Sequence, residues 1–169
     1  MELMFELMFY LAGAVAVLAT ARVIAGVNAV SALLYLVVSL LAVALLFYLL
    51  GAPFAAALEV LIYAGAIMVL FVFVTMMLGL GPEAGARERA WLSGRSWAGP
   101  ALLATLLLAE LVYILTRRGE PAAGAASSPK DVGIALFGPY LLGVELASLL
   151  LLAALVGACH LGWRGSGRD

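Results

Sequence analysis

The chain has 169 residues, of which 66% are hydrophobic and 11% charged, with a formal net charge of −1. A soluble domain is nearer half apolar and a quarter charged, and a small one leaves much of its surface in water, so this composition excludes a water-soluble globule and makes lipid the solvent. The small net charge gives no field for nucleic acid, the one cysteine excludes an intrachain disulfide, and the one histidine excludes a multi-histidine metal or haem site built from this chain alone.

A membrane helix needs roughly 20 apolar residues to cross ~30 Å of hydrocarbon. Five stretches reach that length. The first covers residues 3–20 and stops at Arg22. Its leading charges, Glu2 and Glu6, are the wrong sign for a cleaved signal peptide, so it is expected to be a retained span. The second covers residues 28–50 and ends at Gly51-Ala52-Pro53. The third covers residues 54–78 and stops at Gly79-Leu80-Gly81-Pro82. The fourth covers residues 97–116 and stops at Arg117-Arg118, and the fifth covers residues 138–160. Eighteen glycines suit membrane helices, where glycine is commoner than in soluble ones. The fold class expected is therefore all-α: a single membrane domain over residues 1–169 with five transmembrane helices.

Two loops separate the later spans. Residues 79–96 carry Glu83, Arg87, Glu88, Arg89 and Arg95. Residues 117–137 contain Pro121, Pro129 and a low-complexity Ala/Gly/Ser run, and read as an irregular loop. With the N-terminus outside, Arg22, Arg87, Arg89, Arg95, Arg164 and Arg168 lie on the cytoplasmic side, against Arg117, Arg118 and Lys130 on the other. The positive-inside rule favours that arrangement, with a periplasmic N-terminus and a cytoplasmic C-terminus. Trp91, Trp97 and Trp163 then fall near the cytoplasmic ends, where interfacial tryptophans sit.

Three carboxylates fall inside predicted spans: Glu59, Glu110 and Glu145. A charge at the centre of a membrane helix costs about 2.5–3.5 kcal/mol on insertion scales, so such a residue is sheltered from lipid and is a functional candidate. At ~1.5 Å per residue, Glu59, Glu110 and Glu145 lie roughly 8, 9 and 10 Å from the outer ends of their helices. One level in the outer half of the membrane suits all three. A proton-passing polar layer and plain pairing with neighbouring helices or subunits both fit this pattern. Glu110 has a further way out, snorkelling toward Arg117 and the surface.

Tyr63 follows Glu59 by four residues, which puts both on one face of an α-helix. Ala64-Gly65-Ala66 is a patch of small residues that lets helices approach closely. Gly65 also weakens the local α preference and eases a wide turn of the π type. In the second span, Ser31, Tyr35 and Ser39 are spaced by four and form a weakly polar stripe, suited to hydrogen bonds across helices or back to their own backbone. Pro100 and Pro139 fall near the starts of the fourth and fifth spans, where no donor is needed. Cys159 reads as a small apolar filler, and His160 as an incidental residue at the membrane boundary.

The run LEVLIYAGAIMVLFVFVTMML from Leu58 to Leu78 resembles the third-helix signature of the J-subunit family of bacterial NADH:quinone oxidoreductase, equivalent to chain 6 of mitochondrial complex I. The likeness continues in NAVSALLYLVVSLLAVALLF from Asn28 and ALFGPYLLGVELASLLLLAALV from Ala135. The resemblance implies a membrane-arm subunit in the bacterial inner membrane, beside subunits of the A, H, K and N types and antiporter-like neighbours. NAD, FMN, iron–sulfur clusters and quinone are then held by other subunits, and none by this chain. It further implies a third helix that switches between a π-bulge and a regular α-helix, with the hinge around residues 63–71. Gly65 is central there, with Ala66, Val69 and Phe71, and Val69 and Phe73 act as an apolar gate. Glu59 and Glu145 match carboxylates of the family pattern, Glu83 lies near one, and Glu110 matches none. The residues by themselves leave three roles open: a proton-coupling element using Glu59, Tyr63 and Glu145, a pure scaffold, or a small independent ion transporter.

Overall fold

A computed structural model describes residues 2–26, 29–78, 94–116 and 127–164. The described residues are helical, without strands, and five of the helices are long and apolar enough to cross a membrane: Leu3–Ala25, Ala29–Leu49, Pro53–Thr75, Trp97–Thr116 and Leu141–Gly162. Expectations resting on Glu83, Arg87, Glu88, Arg89, Trp91, Arg117, Arg118, Pro121 and Arg168 lie outside the described residues, as do the side chains of Arg95, Trp163 and Arg164. Two compact units divide the chain, Met1–Ser127 and Ser128–Asp169.

In the first unit, α1 spans Glu2–Ala25 and α2 spans Ala29–Leu49. Helix α1 does not stop at Arg22, which instead sits in its last turn, where a cation complements the helix dipole. The α1–α2 contact is built from small and branched residues, with Ala12, Val15 and Ala19 against Val38, Ala42 and Leu45. Small side chains allow this closeness, because helix association in lipid depends on van der Waals packing and hydrogen bonds rather than on expulsion of water. A polar clasp joins the same helices. The hydroxyls of Thr20 and Ser39 lie 2.8 Å apart, and Ser39 also donates to the Ala16 carbonyl at 3.2 Å. Ser39 of the serine–tyrosine stripe thus bonds across helices. Its partner Thr20 carries no sequence signal, since a lone threonine in a span ordinarily bonds its own backbone.

Helix α2 ends in a Schellman turn. Gly51 takes φ 81°, its N–H bonds Tyr48, and the Ala52 N–H bonds Phe47. Pro53 then opens the third span at the position where a missing N–H costs nothing. This span is α3 (Pro53–Leu58), a π-helical segment (Glu59–Ile67) and α4 (Met68–Leu78), and it packs mainly on α2. Helix α5 (Gly94–Thr116) packs on α2 and α1. It begins before Trp97, so Pro100 lies inside it rather than in its first turn. Prolines are tolerated inside membrane helices where neighbouring groups take up the freed carbonyl. One residue earlier, a Cβ at Gly99 would collide with the Tyr35 hydroxyl, so this glycine lets α5 close on α2.

The second unit holds α6 (Pro129–Phe137) and α7 (Leu141–Arg164). Helix α6 occupies part of what the sequence reads as an irregular loop. Nine residues are too few for a clear apolar stripe, but the start signal is present as Ser128-Pro129-Lys130-Asp131. The Ser128 hydroxyl accepts from the Asp131 N–H at 3.2 Å, and the Ser128 N–H donates to the Asp131 carboxylate at 3.1 Å, which completes a capping box. Pro139 falls in the turn between the helices, and α7 starts at Leu141 instead of residue 138. The turn requires Gly138, because a Cβ there would stand 2.7 Å from the Ile134 carbonyl oxygen.

Two outcomes follow. Ser39→Ala is expected to cost about 0.6 kcal/mol, the average for an interhelical hydrogen bond in a membrane. Gly99→Val must displace the Tyr35 phenol and is expected to cost more, both read as lowered thermal stability of the purified protein. For α6, the Ser128 hydroxyl and backbone N–H hold the Asp131 carboxyl below the usual carboxylate range. A depressed folded-state value means that the cap contributes fully above the ordinary carboxylate range and is lost as pH falls through the lowered value. Protection of the α6 amides, taken relative to intrinsic exchange at the same pH, should therefore fall at acid pH, and Ser128→Ala should lower it in the same way at neutral pH.

Candidate functional site

The third span departs from regular helix where the Leu58–Leu78 signature begins. The Glu59 N–H still reaches Ala55 and Ala56. At the far end the Met68 N–H reaches back five residues to the Tyr63 carbonyl and three to Gly65. Wide turns of this kind usually appear as single-turn bulges at functional sites, whereas here they run for nine residues. Gly65 shows why they form at this place. A Cβ on it would stand 3.1 Å from the Val60 carbonyl oxygen, which is the residue five back. Glycine gives the widened turn room where any larger residue crowds it.

The segment lies one turn earlier than residues 63–71. Glu59, Tyr63, Gly65 and Ala66 are inside it, while Val69, Phe71 and Phe73 follow in regular α-helix. Each of those three is about half exposed, whereas Met68 at the junction is 2% exposed and anchors the span. Tyr63 is half exposed as well. In wide turns residues four apart no longer stack, so Tyr63 is turned off the α-helical register with Glu59.

The three carboxylates have three different surroundings. Glu59 is partly covered and begins the wide-turn segment. Glu145 is exposed on α7 in the second unit. Glu110 is 6% exposed, and neither carboxylate oxygen has a hydrogen-bond partner. It does not snorkel to the surface. It shares a stripe of α5 with buried Leu107 and Ile114, which pack into the α1–α2 cluster. Sequence position supplies only the depth of Glu110 in its span, not the face it shares, because apolar residues surround it on α5. Among the described residues no three His, Cys, Asp or Glu side chains come together as a metal site.

Residues 19–161 match the family model described as NADH-ubiquinone/plastoquinone oxidoreductase chain 6. The chain belongs to this family. It is 59% identical over 159 residues to NADH-quinone oxidoreductase subunit J of Pseudomonas aeruginosa, covering 93% of this chain and 96% of the relative. It is 56% identical to the subunit of the same name from Escherichia coli K12, covering 93% and 86%. With the subunit J of Buchnera aphidicola from Schizaphis graminum the identity is 49%, covering 93% and 97%. The family resemblance carried by the YAGAIMVLFVF core is therefore correct over nearly the whole chain.

Gly65→Ala separates the wide turn from an ordinary helix. In a regular α-helix alanine is better than glycine by about 0.8–1.0 kcal/mol, whereas in the wide turn its methyl meets the Val60 carbonyl. A structure of the variant is expected to show the Glu59–Ile67 segment shortened or replaced by i→i−4 bonding. Unchanged wide turns would contradict the role given to Gly65.

Proposed function

We propose that this chain is a membrane-arm subunit of the respiratory NADH:quinone oxidoreductase in the bacterial inner membrane, and that its third span couples quinone reduction to proton translocation. The wide-turn segment Glu59–Ile67, lying in the family's signature helix with a carboxylate at its first position, carries this reading. The N-terminus faces the periplasm. With one cysteine and one histidine the chain has too few ligands for an iron–sulfur cluster, which takes four, and we assign NAD, FMN and quinone to other subunits as well.

The coupling rests on helical geometry. A wide turn holds one residue more than a regular turn, so removing one rotates the downstream half by about 100°. Glu59 stays with α3 while α4 turns. Met68 leaves its buried seat, and Val69, Phe71 and Phe73 re-aim. Apolar side chains swung into a water-filled path interrupt it, and swung out they let water through to Glu59 and Tyr63. Glu145, on α7 of the second unit, is a second carboxyl assigned to proton transfer. The exposed sides of the third span and of α7 are where neighbouring subunits of the A, H, K and N types and the antiporter-like subunits pack, with lipid filling the remainder.

The test uses the complete enzyme. Gly65→Val, Tyr63→Phe and Glu59→Gln are expected to assemble and to lower proton translocation several-fold, more than they lower NADH oxidation by quinone. Normal pumping in all three would contradict the coupling role. If bulky substitution at Gly65 instead blocks assembly while Glu59→Gln pumps normally, the chain is a scaffold.

A further inference from the structure

Glu110 is used by none of the chemistry above, and it is the most deeply buried carboxylate among the described residues. Its cover comes from this chain alone. Helix α5 presents it on the face that packs on α1 and α2, between Leu107 and Ile114. The titratable or charged groups described on those helices are Glu6, Tyr10 and Arg22 of α1 and Tyr35 and Tyr48 of α2, and none bonds either Glu110 oxygen. On α5 itself, Tyr113 turns its hydroxyl to the Met4 sulfur at 3.3 Å. An ionised carboxylate without donors in an apolar contact is the most costly arrangement open to this side chain. An apolar residue of similar volume would serve packing as well or better. What a carboxyl adds is the capacity to hold a proton and to exchange it with water.

We infer that Glu110 is a proton-binding site inside the α1–α2–α5 bundle, separate from the wide-turn helix, whose proton exchanges with water at the end of the bundle marked by Met4 and Tyr113. At that end a cleft of about 200 Å³ opens between the first turns of α1 and the end of α2, lined by Phe5, Glu6, Phe9, Tyr10 and Leu49; none of these is on α5, so water from the cleft reaches Glu110 only by passing between the helices at Met4 and Tyr113. A water occupies about 30 Å³ of liquid, so several fit there. When they reach Glu110, the carboxyl O–H bond breaks, its proton passes to water, and the carboxylate left behind takes hydrogen bonds from that water. When they withdraw, the proton returns.

Infrared spectra of the complete enzyme at neutral pH test this, for wild type, E110Q and E110L, in H₂O and in D₂O. Wild type should show a carbonyl band of a neutral carboxylic acid that shifts on transfer to D₂O, and that band should be missing from both variants. E110L keeps the bulk and apolar packing, so it gives the comparison even where E110Q assembles poorly. A wild-type spectrum that matches the variants in this region would overturn the proposal, and so would a band that does not respond to D₂O. G65V should retain the band, which separates failure at Glu110 from failure of the helix-three switch.

Discussion

In hydrocarbon no water is present to satisfy backbone N–H and C=O groups, and the five spans answer to that constraint. Each span is a helix because only helices and closed barrels satisfy their backbones within lipid. The departures from regular helix obey the same demand. At Gly51 the carbonyls ending α2 are taken up by the N–H groups of Gly51 and Ala52. In the third span the wide turns keep their bonds by reaching five residues back, as Met68 does to Tyr63. The proposed switch would exchange one satisfied bonding pattern for another. A rewinding that exposed bare backbone to lipid would be prohibitive, whereas one that only changes register is within reach of a chemical signal.

Within the first unit α2 is the common support. It carries α1 through the small-residue contact and the Thr20–Ser39 clasp, α5 through Gly99 and Tyr35, and the third span along its length. The third span has little other support, so its far side is exposed and its coiling is held by few contacts of its own unit. Met68, packed at the junction, is the exception. The proposed rewinding lies between the start fixed by Pro53 and Met68, whose buried side chain must leave its seat when α4 turns.

The five spans were legible because roughly 20 apolar residues bounded by charge or Gly/Pro is a strong signal. The small-residue patch at Gly65 and the Ser39 stripe were equally readable, since both are matters of spacing. Other features were not. Helix α6 is short, and its one cue is the Ser128–Asp131 capping box beside a low-complexity run. Where the wide turns begin depends on which carbonyl each N–H reaches, and Gly65 fixed the neighbourhood without fixing the register. The inward face of α5 was hidden because apolar side chains surround that helix, so burial of Glu110 became visible only once Leu107 and Ile114 were seen against α1 and α2. A carboxylate's sequence position gives its depth in the membrane, and only packing gives its cover.

The most direct measurement is a pair of structures of the assembled oxidoreductase, one at rest and one trapped during quinone reduction, resolved well enough to trace backbone hydrogen bonds from Glu59 to Met68. Five-back bonding in one state and four-back bonding in the other, with α4 rotated by about 100°, is the expected result. The same bonding in both states, with pumping intact, would contradict a coupling role for this helix.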